Sequence, residues 1–237
     1  MLQRDAFIKE IIKKLNNDKN IFFLSADFGA AALDDLRELF PNNFLHCGIS
    51  EQSMLDIAAG LALDGNKVFV YAMAPFLSLR AIEQTKCGAG LMNLPICLLS
   101  VGIGLGYADA GPTHYSTEDF ACFRAIIGSS VYTPADVPST KLIAKDILEN
   151  PKFSYIRLDR DVLPNIYPEI THSDFNNGYK VFGKIDNKKT AFISHGRMFH
   201  RCLELYNKEP NKFICVDIFR SKPFPKDLPK KISSCKG

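Results

Sequence analysis

The feature that most constrains this chain is a repeated order of short apolar run, loop and helical pattern. Ile21-Phe22-Phe23-Leu24-Ser25, Lys67 to Tyr71, Pro95 to Ser100, Ser130 to Thr133 and Phe153 to Arg157 each have strand length. Between them, apolar residues return at helical spacing over roughly 33–40, 51–61, 77–90, 117–127 and 137–148, and a first amphipathic helix carries Ala6, Phe7, Ile11, Ile12 and Leu15. An apolar run without alternation suits a strand buried on both faces, which is the habit of parallel sheets. The order therefore predicts an α/β fold, a mostly parallel sheet with helices on both faces.

Beyond Arg160 the pattern changes. Asp161-Val162-Leu163-Pro164-Asn165-Ile166-Tyr167-Pro168 reads as a linker, and we divide the chain into residues 1–165 and 166–237. The second part holds one small βαβ unit: a strand at Lys189 to Ser194, a helix at Phe199 to Tyr206 and a strand at Lys212 to Asp217. Two strands and a helix make a thin core, so this unit must lean on the first part. The tail from Arg220, rich in proline and lysine, predicts no further element.

With 29 basic and 26 acidic residues the net charge is +3, and the basic residues are dispersed, so nothing points to nucleic acid. No apolar run could span a bilayer and the first residues enter an amphipathic helix, so the expected location is cytoplasmic, without membrane association. The seven cysteines lack any C-x-x-C spacing, which predicts reduced thiols and no structural zinc.

In open α/β sheets, sites lie in the loops beyond the carboxyl ends of the strands. The loops of interest are Ser25 to Gly29, Ala72 to Phe76 and Val101 to His114, with the joint His46-Cys47-Gly48-Ile49-Ser50-Glu51. Ser50 reads as an N-cap and Glu51 as a first-turn acid, since Met54, Ile57, Ala58 and Leu61 follow at helical spacing. Such an acid can simply answer the helix dipole. At the head of a nearly uncharged helix it is also expected to be buried, and an unpaired buried carboxylate favours its protonated form, as acid–base groups often do. Cys47 reads as a buried structural thiol or a reactive one. The glycine-rich loop 101–114 does not open directly into a helix and has no following G-K-[ST], which excludes a phosphate-cradling reading. It ends in His114, a capping residue or a substrate contact.

Gly48-Ile49-Ser50-Glu51-Gln52, Ala74-Pro75-Phe76-Leu77, Gly111-Pro112-Thr113-His114, Thr133-Pro134-Ala135-Asp136 and Tyr155-Ile156-Arg157-Leu158-Asp159-Arg160, in that order, resemble the C-terminal half of transketolase. The resemblance covers the pyrimidine-binding domain, residues 1–165, and a shortened C-terminal domain. It implies a thiamine diphosphate-binding fold and a transferase moving a two-carbon ketol unit between sugars, with the cofactor as electron sink. By the same resemblance, Glu51 hydrogen-bonds the cofactor's pyrimidine, and Phe76 packs on that ring. Leu79 stands where the family has a second aromatic. His114 touches substrate oxygens and Asp109 matches a nearby acid after a one-residue shift. Arg160, with Arg157, corresponds to the arginine region that holds a sugar phosphate.

The family's diphosphate-binding half, with its Gly-Asp-Gly…Asn magnesium motif, is not in this sequence. The resemblance therefore implies a separate N-terminal-section subunit that binds Mg²⁺ and the diphosphate, and self-association to a dimer or an α₂β₂ heterotetramer. A deoxyxylulose-phosphate-synthase-like enzyme, a 2-oxo-acid-decarboxylating thiamine enzyme and a non-catalytic scaffold are the alternatives.

Overall fold

The computed structural model describes residues 1–26, 30–168 and 170–236. Asp27 to Gly29, part of the first loop of interest, lie outside the described residues. Among those described, six strands run parallel: β1 (Ile21–Ser25), β2 (Phe44–His46), β3 (Lys67–Met73), β4 (Ile96–Val101), β5 (Ser130–Tyr132) and β6 (Ser154–Leu158), in the order β2-β1-β3-β4-β6-β5. The fold is α/β with a mostly parallel sheet.

Side chains alternate across this sheet, which explains the unbroken apolar runs. Phe23, Phe69, Tyr71, Leu99 and Ile156 enter one core with α1 (Gln3–Leu15), α2 (Asp34–Leu39) and α6 (Val137–Glu149). Leu24, Val68, Val70, Leu98 and Tyr155 enter the other, against α3 (Glu51–Leu63) and α5 (Asp119–Ala125). Every position of β4, β5 and β6 is thus buried on one face or the other.

The helical stretch 76–91 is wound in wide π turns at Phe76–Arg80 and Thr85–Leu91, on either side of a short α4 (Ile82–Gln84). Two hydroxyls bond back into it: Ser78 Oγ donates to the Ala74 carbonyl at 2.7 Å and Thr85 Oγ1 to that of Ala81 at 2.9 Å. Back-bonding of this kind loosens the α-helical ladder, and π turns are frequent at functional sites.

The second part holds α7 (His172–Asn177), α8 (Arg197–Lys208) and a three-stranded sheet of β7 (Lys180–Phe182), β8 (Thr190–Ser194) and β9 (Phe213–Asp217), ordered β7-β9-β8. The expected βαβ unit is β8-α8-β9, with parallel pairing; β7 adds an antiparallel edge. The tail corrects the sequence reading, since it forms β10 (Arg220–Lys222) and α9 (Leu228–Ile232), and β10 pairs antiparallel with β5 of the large sheet. A three-residue polar strand carries no apolar pattern, so only its neighbour reveals it.

The small unit leans on the large one through polar contacts. Asp136 caps α6 by accepting from the Ser139 amide at 2.9 Å, and its other oxygen accepts from the Ile166 and Tyr167 amides at 2.8 and 2.9 Å. Arg197 pairs with Asp159 and Asp161, and His200 Nε2 lies 2.8 Å from the Ala135 carbonyl oxygen.

Candidate active site

Beyond the carboxyl ends of β2, β3 and β4, the chain brings Glu51, Phe76 and His114 into one region. Gly48, at φ +69°, turns the backbone after β2. Ser50 stands at the N-cap position but does not cap; its Oγ donates back to the Cys47 carbonyl at 2.5 Å, correcting the expected cap. Glu51 opens α3 and is 2 % exposed. It is not unpaired, as its apolar helix had suggested: Arg80 Nη1 donates to Glu51 Oε2 at 2.7 Å.

The Arg80 guanidinium carbon lies 4.0 Å from the centroid of the Phe76 ring, a cation–π stack. The two residues are four apart on one helical face. The His114 ring meets Phe76 edge-on, with centroids 5.4 Å apart and planes at 71°. Its Nδ1 lies 2.9 Å from Thr113 Oγ1. A cleft of about 590 Å³ is lined by Phe76, Leu79, Arg80, His114 and Glu118 among others. Leu79, 44 % exposed, forms part of that wall.

The arginines lie elsewhere on this side of the sheet, at and beyond the end of β6. Arg157 is buried, and its Nε and Nη2 donate to Asp119 Oδ2 and Oδ1 at 2.8 and 3.0 Å; Nη1 reaches Thr133 Oγ1 at 3.3 Å. Arg160 Nη1 donates to Asp109 Oδ1 at 2.5 Å and to the Gly106 carbonyl at 3.1 Å, while its guanidinium lies 4.5 Å from the Tyr107 ring centroid. The hydrogen bond between them raises the Arg160 pKa and lowers that of Asp109. Of the two arginines, Arg160 has the more exposed side chain. Arg157 instead borders a cavity of about 430 Å³ with Gly104, Thr133, Asp159, His195 and Arg197.

The loop 101–114 links the two clusters. Its base is closed by Gly104 and Ser116, which exchange amide–carbonyl bonds of 3.0 and 2.9 Å. Gly102 has φ +78°, and a Cβ there would stand 2.0 Å from the Tyr107 ring. Close packing therefore requires glycine at this position.

Sequence reasoning missed Arg80, because its bond to Glu51 joins residues 29 positions apart in the chain. It also missed His195, whose imidazole is lowered to about 4 by burial, with the Arg157 charge adding. Burial pushes the Cys47 thiol up, which disfavours a reactive thiolate. Among the described residues, no cluster of three or more His, Cys, Asp or Glu could hold a metal. None of their helices is long and apolar enough to cross a membrane.

The family model described as "Transketolase, pyrimidine binding domain" matches residues 1–165, and the chain belongs to that family. Over 165 residues it is 33% identical to a subunit of the apulose-4-phosphate transketolase of Phocaeicola vulgatus, covering 69% of this chain and 53% of that protein. It is 31% identical to mouse transketolase-like protein 1 over 227 residues, 93% of this chain and 37% of that one. The chain thus spans about half the length of the first relative and just over a third of the second. A solved split gene transketolase, described as an inactive beta4 tetramer, superposes with a TM-score of 0.84 at 26% identity, over 98% of this chain and 76% of that one.

The residues present fit a thiamine pyrimidine: a buried carboxylate to meet a ring nitrogen and an aromatic face to take a flat heterocycle.

Proposed function

We propose that this chain is the pyrimidine-binding subunit of a split transketolase, which transfers a two-carbon ketol unit between sugars in the cytoplasm. The observation that carries this reading is the buried Glu51 carboxylate placed with Phe76 and His114 beyond the strand ends. Thiamine diphosphate, when bound, supplies the nucleophile and the electron sink. Glu51 holds the proton at the pyrimidine ring nitrogen, a task for a carboxylate screened from water. Phe76 offers its ring face and Leu79 the adjoining apolar wall. His114 orients a substrate oxygen.

Arg160, partnered by Asp109, is the group to receive a sugar phosphate through charge-assisted hydrogen bonds. Arg157, gripped by Asp119, holds the wall of the neighbouring cavity, where it meets the sugar chain. Residues 1–165 form the cofactor-binding domain, and 166–237 correspond to part of a transketolase C-terminal domain.

Mg²⁺ and the diphosphate fall to a separate N-terminal-section subunit, in an α₂β₂ assembly built on a dimer. Two similarities support this division. The Phocaeicola relative is named as one subunit of a transketolase, and the solved tetramer of split-gene origin is described as inactive.

The test is calorimetric titration of thiamine diphosphate with Mg²⁺ into this chain, then into its mixture with the diphosphate-binding half. Tight binding in the mixture alone is expected. Tight binding to the chain alone would refute the shared site, and no binding to either would favour a scaffold.

A further inference from the structure

In the chain by itself, one side chain makes both contacts that the proposed function assigns to the aminopyrimidine. The Arg80 guanidinium lies against the ring of Phe76 and donates to the buried oxygen of Glu51 at 2.7 Å. A guanidinium is flat, presents N–H donors to a carboxylate and stacks on aromatic faces, as an aminopyrimidine does when its ring nitrogen carries the shared proton. Arg80 is also free to leave, since its side chain is 41 % exposed and it springs from a π-wound turn.

We infer that Arg80 is a placeholder for the cofactor's pyrimidine: it satisfies the buried Glu51 in the unassembled subunit and must swing out when the cofactor enters. This rests on the cofactor reading above. Its physical motive is that a buried carboxylate without a partner is costly. A split enzyme meets that difficulty whenever this subunit stands without its other half. The apparent affinity for cofactor is then reduced by the fraction of subunits in which Arg80 is swung out.

The test uses Arg80→Met, which keeps a stackable stem but no charge or donor, and Arg80→Lys, which keeps the charge and loses the flat fork. Thiamine diphosphate with Mg²⁺ is titrated into the complex of each variant with the diphosphate-binding half. If the latch is closed about nine-tenths of the time, Arg80→Met binds roughly tenfold more tightly than wild type, and Arg80→Lys moves the same way. Weaker or unchanged binding in both variants, with wild type binding normally, overturns the placeholder and leaves the cofactor reading standing. No binding by wild type or variants overturns both. As an independent readout, Arg80→Met lowers the melting temperature of the chain alone at pH 8, and adding Glu51→Gln restores it. A melting temperature unmoved by Arg80→Met refutes the placeholder's role in the free subunit.

Discussion

Tyr167 Oη donates to Asp217 Oδ2 at 2.6 Å, joining the segment after β6 to the end of β9, and the aspartate is fully buried. Among the described residues, its second oxygen has no hydrogen-bond partner. Burial pushes the Asp217 pKa up to about 8, against the opposing pull of the Tyr167 bond and with Asp136 adding to the rise.

A raised carboxyl has a definite consequence for stability. In the unfolded chain Asp217 ionises near its ordinary value of about 4, whereas the folded chain keeps the proton to about 8. Between these values the folded state binds more protons, so stability is fullest at low pH in this window and falls as pH rises toward 8. Asp217→Asn, which still accepts from Tyr167, is expected to flatten that slope. Urea unfolding of both proteins between pH 5 and 8.5 checks it; parallel slopes would contradict the assignment.

The Arg157–Asp119 pair is buried on both sides, and Tyr155 Oη also donates to Asp119, at 3.0 Å. Asp119→Ala strands a buried guanidinium and is expected to cost about 3–5 kcal/mol. Arg157→Met added to it should recover much of the loss, because no charge is then left unpaired. Chemical denaturation of the two variants reads both steps.

Glu51→Gln keeps the shape of the side chain and an acceptor for Arg80. Its melting temperature should therefore stay near that of wild type, while ketol transfer by the assembled enzyme drops by roughly 10²-fold or more. Retained activity would remove Glu51 from the chemistry.

Arg160 and Asp109 form an exposed pair, so Arg160→Ala is expected to leave thermal stability in place. If it receives a phosphate, the variant raises KM for a phosphorylated sugar and leaves that for an unphosphorylated one unchanged. Equal changes for the two substrates would speak against a phosphate contact.

The strands were readable because each sits between two cores, so both faces select apolar residues, as Phe22 to Leu24 and Val68 to Tyr71 show. Glu51, Phe76 and His114 were readable as loop and first-turn residues because the loops follow from the strands. Arg80 was not, since its bond to Glu51 joins two elements whose residues lie 29 positions apart. Nor was β10: Arg220, Ser221 and Lys222 have neither apolar alternation nor strand length. The hydroxyl of Ser50 bonds backward to Cys47 instead of forward into α3, a choice between two nearby partners that sequence alone does not weigh.

The return of β10 to the edge of β5 bears on motion and on solubility. A segment that follows the small sheet is hydrogen-bonded into the large one, so the two parts are tied at both ends of the small unit rather than strung on a single hinge. A swinging movement of that unit would have to unzip β10 first. The same strand covers the flank of β5, whose residues are apolar or aromatic at Val131 and Tyr132. An uncovered flank of that kind is a template on which another chain can add a strand. Shortening the protein ahead of Arg220 would then show itself first as aggregation, before any loss of the cleft around Phe76.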